Sequence, residues 1–120
     1  MPPMFQPGDI VFAPWRAEDG TEKYRYMVVL VWSSAVGMYA MWTGTAKEGK
    51  SGGRYAFTPH ECEQAGFSEP CRFDPSRVIL YRPEYVTNET VHPKPGRLSR
   101  KAMERIEAAV VNARPPHNEY

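Results

Sequence analysis

The sequence lacks most features that would place it outside the ordinary compact domains. Its 120 residues include only two cysteines, Cys62 and Cys71, too few for a disulfide scaffold and with a spacing that matches no zinc pattern. No apolar run approaches the roughly 20 residues that span a bilayer. The segment MPPMFQPGD has neither the basic start nor the apolar stretch of a signal peptide. These absences predict a reduced, cytoplasmic protein with no membrane partner.

An excess of either charge is also missing. Fifteen Lys and Arg residues stand against 14 Asp and Glu residues, for a net charge of +1. This balance argues against a protein that coats nucleic acid through bulk electrostatics. Residues 94–114 hold six basic and two acidic residues, which we interpret as the solvated face of a helix. A local site that grips one or two phosphates with a few arginines is compatible with this distribution.

Proline, in contrast, is abundant. Its 12 residues are about twice the average share, and they predict a chain broken into short elements. Runs of β-branched and aromatic residues between turn signals predict the strands, and a polar, glycine-rich loop is predicted over 44–53. The predicted strands span Gly8–Trp15, Tyr24–Trp32, Val36–Thr43, Arg54–Phe57 and Arg77–Arg82.

Two helices are predicted. The first begins after a Thr58 cap, with Pro59 in its first turn and Glu61 three residues after the cap, and it ends near Gly66. The second covers Leu98–Ala113, where apolar residues recur at helical spacing after a Ser99 cap. Short strands followed by a terminal helix predict a mainly β fold, a small and strongly curved antiparallel sheet or barrel with the helix packed on it. We expect one domain over 1–114 and a flexible tail over 115–120.

Motifs for metal and cofactor chemistry are absent from the sequence. His60, His92 and His117 are scattered, and neither HExxH nor CxxC is present, so no metal is predicted. No P-loop, GxGxxG or GxSxG occurs, so no cofactor is predicted either. A Cys/His nucleophile pair has nothing to single it out, and cysteines that act as small buried hydrophobes are the favoured interpretation.

The arginines are more informative. Arg25 stands at the start of the most apolar strand, and Arg72 and Asp74 form an R-x-D pair just before another strand. A guanidinium matches phosphate geometry, and a carboxylate beside it can act as a general base. From composition alone, an exposed ion pair between Arg72 and Asp74 is the stronger interpretation.

Several segments, taken in order, resemble the MazF/PemK (Kid) family of toxin endoribonucleases. GDIVFAPW resembles the opening strand of the family, and EKYRYMVVLV resembles the segment that holds the family arginine, which places it at Arg25. AMWTGT places the family threonine at Thr43, and RFDPSRVI resembles the R-x-D-Q-x-R-x-I segment with identical spacing. GRLSRKAMERIEAAV resembles the terminal helix, so that the match covers residues 5–113.

The resemblance implies an SH3-like barrel that forms a homodimer and cuts single-stranded RNA without metal. The ribose 2′-OH would attack the adjacent phosphate and leave a 2′,3′-cyclic phosphate and a 5′-OH. Asp74 would accept the 2′ proton, Arg72 would protonate the leaving oxygen or stabilise the phosphorane, and Arg25 and Thr43 would hold the phosphate with help from Glu22. The family also implies an antitoxin partner whose disordered tail folds over the cleft.

Aromatic residues near these positions predict base stacking. Trp15, Tyr24, Tyr26 and Trp42 could stack on bases that flank the cut, and core or dimer packing is the competing interpretation, favoured for Trp42. The family proline and glutamine are replaced by Tyr26 and Pro75, and the histidine of some members falls on Thr21. These departures keep two alternatives open: a catalytically inactive barrel that binds protein or RNA, and a phage- or plasmid-borne inhibitor of a host enzyme.

Overall fold

The computed structural model describes residues 5–16, 19–42, 55–67, 72–86 and 96–114, and the statements that follow concern these residues. They contain six strands and two α-helices, with one short 3₁₀ turn at Pro83–Tyr85. Among them, no helix combines the length and apolar character needed to cross a membrane. The elements in chain order are β1 (Ile10–Arg16), β2 (Glu22–Ser33), β3 (Met38–Trp42), β4 (Tyr55–Ala56), α1 (Pro59–Ala65), β5 (Arg72–Phe73), β6 (Val78–Tyr81) and α2 (Arg100–Ala113).

The larger sheet has four antiparallel strands in the order β1-β2-β3-β6. Its inner strand β2 is buried on both sides over Met27–Leu30, because both sides of the sheet are packed there, whereas Val31 is 50% exposed. A register shift near Leu30 marks a β-bulge, which bends a strand and increases its twist. Pro14 is tolerated because β1 is an edge strand and a proline has no N–H to donate to a neighbour.

The mainly β architecture with a terminal helix is confirmed, but the described strands do not close into a barrel. They form two sheets, since β4 and β5 pair only with each other. Those two strands have two residues each, too few to complete a ladder between β6 and β1. The edge strands are joined instead by a side chain: Tyr81 Oη of β6 donates to the Pro14 carbonyl at 2.6 Å. The sheet is therefore curled and open.

The larger sheet has two faces, because successive strand residues point to opposite sides. We call the inner side of the curl the concave face and the side that carries the helices the helix face. On the concave face, residues from all four strands form one buried cluster with Phe5 and Val86. On the helix face, the other set of strand residues packs against both helices and the β4–β5 pair. The concave cluster includes Val11, Ala13, Met27, Val29, Met41, Ile79 and Tyr81, and the helix-face cluster includes Ile10, Val28, Trp42, Phe57, Phe73, Met103 and Ile106.

Both helices begin where the capping signals predict. Thr58 and Glu61 form a reciprocal capping box on α1, and Gly66 ends that helix in the left-handed region at φ 79°. The Ser99 side chain caps α2 by accepting from the Ala102 N–H at 3.2 Å. Gly96 brings the chain against the end of α1, where an added Cβ would lie 2.3 Å from the carbonyl of Ala65. Any larger residue there would displace this segment from the end of α1.

Candidate functional site

Arg25 lies on the concave face near the start of β2. It stands opposite Ala13 in the sheet register, and Met27 on the same side belongs to the buried concave cluster. Its side chain is half-buried and its Nε atom is buried. Strand alternation thus directs a guanidinium into one end of an apolar concavity. There its attraction for an anion is screened less by water and salt than on an open surface.

Trp15 and Arg77 meet at the same end of the concave face. Trp15 follows Ala13 by two residues and so lies on the same side of β1, and Arg77 directly precedes β6. The Arg77 Cζ atom lies 5.4 Å from the centre of the Trp15 ring, a cation–π distance. A guanidinium stacked in this way keeps its N–H donors along its edge, where they can bind a phosphate in a bidentate manner.

Asp74 lies in the turn between β5 and β6, which leads to Arg77. Its Oδ1 atom accepts two hydrogen bonds from Ser76, from the main-chain N–H at 2.9 Å and from Oγ at 2.7 Å. Its main-chain carbonyl accepts from the Arg77 N–H at 3.0 Å and from the Trp42 Nε1–H at 2.8 Å. This is a side-chain-stabilised turn of the kind aspartate favours. The second carboxylate oxygen, Oδ2, forms no hydrogen bond with any described residue.

Arg72 lies on β5, in the smaller sheet, with an exposed side chain. Its neighbour Phe73 is buried in the helix-face cluster, which fixes the strand in place. Within the described ranges, Arg72 and Asp74 form no ion pair, so the exposed pair expected from composition is absent. Asp74 is held by Ser76 instead.

The tyrosines lie on the side of β2 opposite to Arg25. Tyr26 contacts Phe12 at 5.0 Å and Phe67 at 5.7 Å between ring centres, and Tyr24 contacts Phe12 at 5.6 Å. Tyr24 is 51% exposed, so its ring is available to stack with a ligand, but on the helix face. The structure therefore places Trp15 on the same face of the sheet as Arg25, and both tyrosines on the other face.

The remaining residues considered for the site are Glu22, Thr43 and Trp42. Glu22 is the exposed first residue of β2, and the alternation puts it on the same side as the tyrosines. Thr43 and the loop 44–53 lie outside the described residues. Trp42 is fully buried, which confirms core packing as its role.

A second polar cluster, on the helix face, is centred on Glu61. Glu61 is 5% exposed and is the one buried charged residue among those described. Its carboxylate accepts from Tyr55 Oη at 2.9 Å and from the Thr58 N–H at 2.9 Å, and Arg105 Nη1 lies 3.4 Å away. Burial, and next the hydrogen bond to Glu61, raise the pKa of Tyr55 far above its ordinary value. Every partner in this cluster is satisfied, which is typical of a structural network.

Sequence reasoning assigned no chemical role to Arg77 or to the Glu61 cluster. Arg77 is the second arginine of RFDPSR, but its contact with Trp15 depends on the curl that brings β6 to β1. Glu61 was predicted only as a capping residue, and its other partners come from β4 and from α2, 44 residues further along the chain. Neither contact has a local signal in the sequence.

Two cavities among those lined by described residues lie beside the helices. One of about 330 Å³ lies between α1 and α2 beside Glu61, and one of about 420 Å³ lies between Pro7 and the start of α2. The described residues contain no group of three His, Cys, Asp or Glu side chains that could hold a metal ion. Comparisons with protein-family models, curated proteins and solved structures found no match to this chain.

Proposed function

We propose that the protein is a metal-independent endoribonuclease that cuts single-stranded RNA at the Trp15–Arg25–Arg77 end of the concave face. One observation carries the proposal: the Arg77 guanidinium stacks on Trp15 at 5.4 Å, on the face into which Arg25 projects. Two guanidinium groups and an indole at one opening can grip a phosphate and stack a neighbouring base. The resemblance to the MazF/PemK family, with its SH3-like barrel, supports the same assignment.

The proposed reaction is an internal transfer of the phosphate. Asp74 accepts the proton of the 2′-OH, the 2′ oxygen forms a bond to phosphorus, and the bond from phosphorus to the 5′ oxygen breaks. The 5′ oxygen takes a proton from Arg72 or from solvent, and the products are a 2′,3′-cyclic phosphate and a 5′-OH. Arg25, Arg77 and Thr43 offset the charge that develops on the phosphorane.

The placement of Asp74 supports its role in part. Its turn ends at Arg77, so the carboxylate and a phosphate-binding guanidinium belong to one four-residue unit. Its Oδ2 atom is not engaged by any described residue, which leaves an oxygen to accept a proton.

A second candidate is an RNA-binding protein that does not cut. The observation that favours it is the pair of hydrogen bonds from Ser76 to Asp74 Oδ1, which give this carboxylate a structural role, while Arg72 lies in the other sheet. In this case the arginines and Trp15 bind RNA without a general base.

The partners follow from the proposed function. We propose a homodimer, as in the family, and an antitoxin whose disordered acidic tail folds over the opening. Acidic side chains there would meet Arg25 and Arg77 and exclude RNA.

The test is to incubate the purified protein with a long single-stranded RNA in excess EDTA, with DNA of the same sequence as the control. The nuclease predicts cuts that end in a 2′,3′-cyclic phosphate, intact DNA because it lacks the 2′-OH, and loss of cutting in Asp74→Asn. RNA that is bound but uncut would support the second candidate. RNA that is neither bound nor cut would contradict both.

A further inference from the structure

The turn between β5 and β6 is tied to the hydrophobic core by one tryptophan. Trp42 Nε1 donates to the Asp74 carbonyl at 2.8 Å, across 32 residues of chain. The same carbonyl accepts the Arg77 N–H at 3.0 Å. A single main-chain oxygen thus joins the core, the carboxylate-bearing residue and the guanidinium-bearing residue.

Trp42 itself has little freedom to move. Its side chain is 0% exposed, and its ring centre lies 5.2 Å from that of Tyr55, 5.5 Å from Phe57 and 4.9 Å from Phe73. A buried indole N–H without an acceptor would be costly, so the Asp74 carbonyl is held where the indole points. The rigid aromatic cluster therefore fixes the position of the turn.

We infer that Trp42 is a positioning residue for the proposed reaction, because its indole N–H holds the turn that sets Asp74 and places Arg77 against Trp15. This inference rests on the proposed function, and it adds a residue that does not touch RNA. The hydrogen bonds from Ser76 then orient the Asp74 carboxylate within a turn that Trp42 has placed. Trp42 acts on both groups, whereas Ser76 acts on the carboxylate alone.

The test replaces Trp42 with 3-benzothienylalanine, which keeps the shape of the ring system and has sulfur in place of the N–H. We expect a folded protein in which kcat for RNA cleavage falls about tenfold and KM rises severalfold, as the loss of about one buried hydrogen bond implies. The matched control Ser76→Ala should lower kcat with little change in KM. Arg77→Ala alone should raise KM. The variant that combines Arg77→Ala with the position-42 change should have nearly the same KM, because the position-42 change affects KM through Arg77.

Unchanged kcat and KM in the folded benzothienyl variant would overturn the inference and leave the nuclease intact. If the wild-type chain binds RNA without cutting it, the Arg77→Ala variant, the position-42 variant and their combination are compared by Kd. Additive losses of affinity in the combined variant would overturn the inference. A readout without RNA separates the two proposals: ring currents from Trp15 shift the Arg77 side-chain NMR signals, and these should move toward random-coil values in the variant. Unmoved Arg77 signals would refute the positioning role even if RNA proved irrelevant.

Discussion

The helix face and the concave face of the sheet differ in how their charged side chains are paired. On the helix face, Glu61 is buried with three partners, including a phenol and the guanidinium of Arg105. On the concave face, the described contact of the Arg77 side chain is an aromatic ring, and this side chain pairs with no carboxylate among the described residues. The charge of Glu61 is thus compensated within the protein, whereas the Arg77 guanidinium keeps N–H donors that can bind a ligand.

From this difference we infer that charged groups on the helix face serve stability and that those on the concave face serve function. A buried network in which every hydrogen bond is made stabilises the core and leaves no group that could bind a ligand. The Arg77 guanidinium on the concave face keeps N–H donors that can bind a phosphate in a bidentate manner. We therefore expect substitutions on the helix face to change the free energy of unfolding, and substitutions at the concave opening to change RNA cleavage.

The largest expected effect is that of Arg25→Gln. Loss of a guanidinium that offsets phosphorane charge should lower kcat/KM for RNA cleavage by about 100- to 1,000-fold. Cleavage of a fluorescent RNA under single-turnover conditions measures it. The control is Arg100→Gln, because that side chain is 95% exposed on α2 and should not affect cleavage. Equal losses in the two variants would mean that the face has no special role.

Ile106→Ala tests the helix face. Ile106 is fully buried in the helix-face cluster, so truncation should lower the free energy of unfolding by about 2–4 kcal/mol. Urea unfolding measures the loss, and RNA affinity at low temperature should not change. The matched control Val111→Ala removes a side chain on the same helix that is 72% exposed and should cost under about 0.5 kcal/mol. A large loss of RNA affinity in Ile106→Ala would erase the distinction between the faces.

The smallest effect is a pH dependence. The folded protein holds Tyr55 neutral where the unfolded chain ionises, since its pKa is raised from an ordinary value of 10.0. The stabilisation is therefore complete below pH 10 and declines as the pH rises above it. The wild-type free energy of unfolding should fall above pH 10 more steeply than that of Tyr55→Phe, by at most about 1.4 kcal/mol per pH unit.

The control for this prediction is Val111→Ala, which removes no titratable group. Val111 is 72% exposed on α2, and its variant should follow the wild-type slope in chemical unfolding from pH 9 to pH 11. If the free energy of unfolding falls equally steeply with pH in Tyr55→Phe and in wild type, the burial of Tyr55 against Glu61 does not set the pH dependence and the prediction is wrong.

The elements of the fold could largely be predicted from the sequence, because their signals are local. Thr58 and Glu61 predict the start of α1, and Ser99 with an apolar stripe predicts α2. Runs of β-branched and aromatic residues predict β1, β2, β3 and β6. No strand was predicted over Arg72–Phe73, because β5 and its pairing with β4 depend on contacts between distant segments. The described strands form an open, curled sheet and not a closed barrel.

The candidate site could be predicted only in part. Arg25 and Trp15 share a face because strand alternation and register put them there, and a two-residue period is visible in a sequence. The same period separates Tyr24 and Tyr26 from Arg25. The approach of Arg77 to Trp15 depends on the curl of the sheet, which no local pattern encodes.

The most direct test of the central claim is NMR of the tryptophan indole N–H groups during titration with single-stranded 2′-O-methyl RNA of mixed sequence, which cannot be cut. Trp15 and Trp32 both border the concave cluster, but β2 separates their ends of the face by roughly 30 Å at about 3.3 Å per residue. The account predicts that the Trp15 signal shifts or broadens, that the Trp32 signal stays, and that Arg25→Gln abolishes the change. A shift at Trp32 with none at Trp15, or no shift at either, would contradict it.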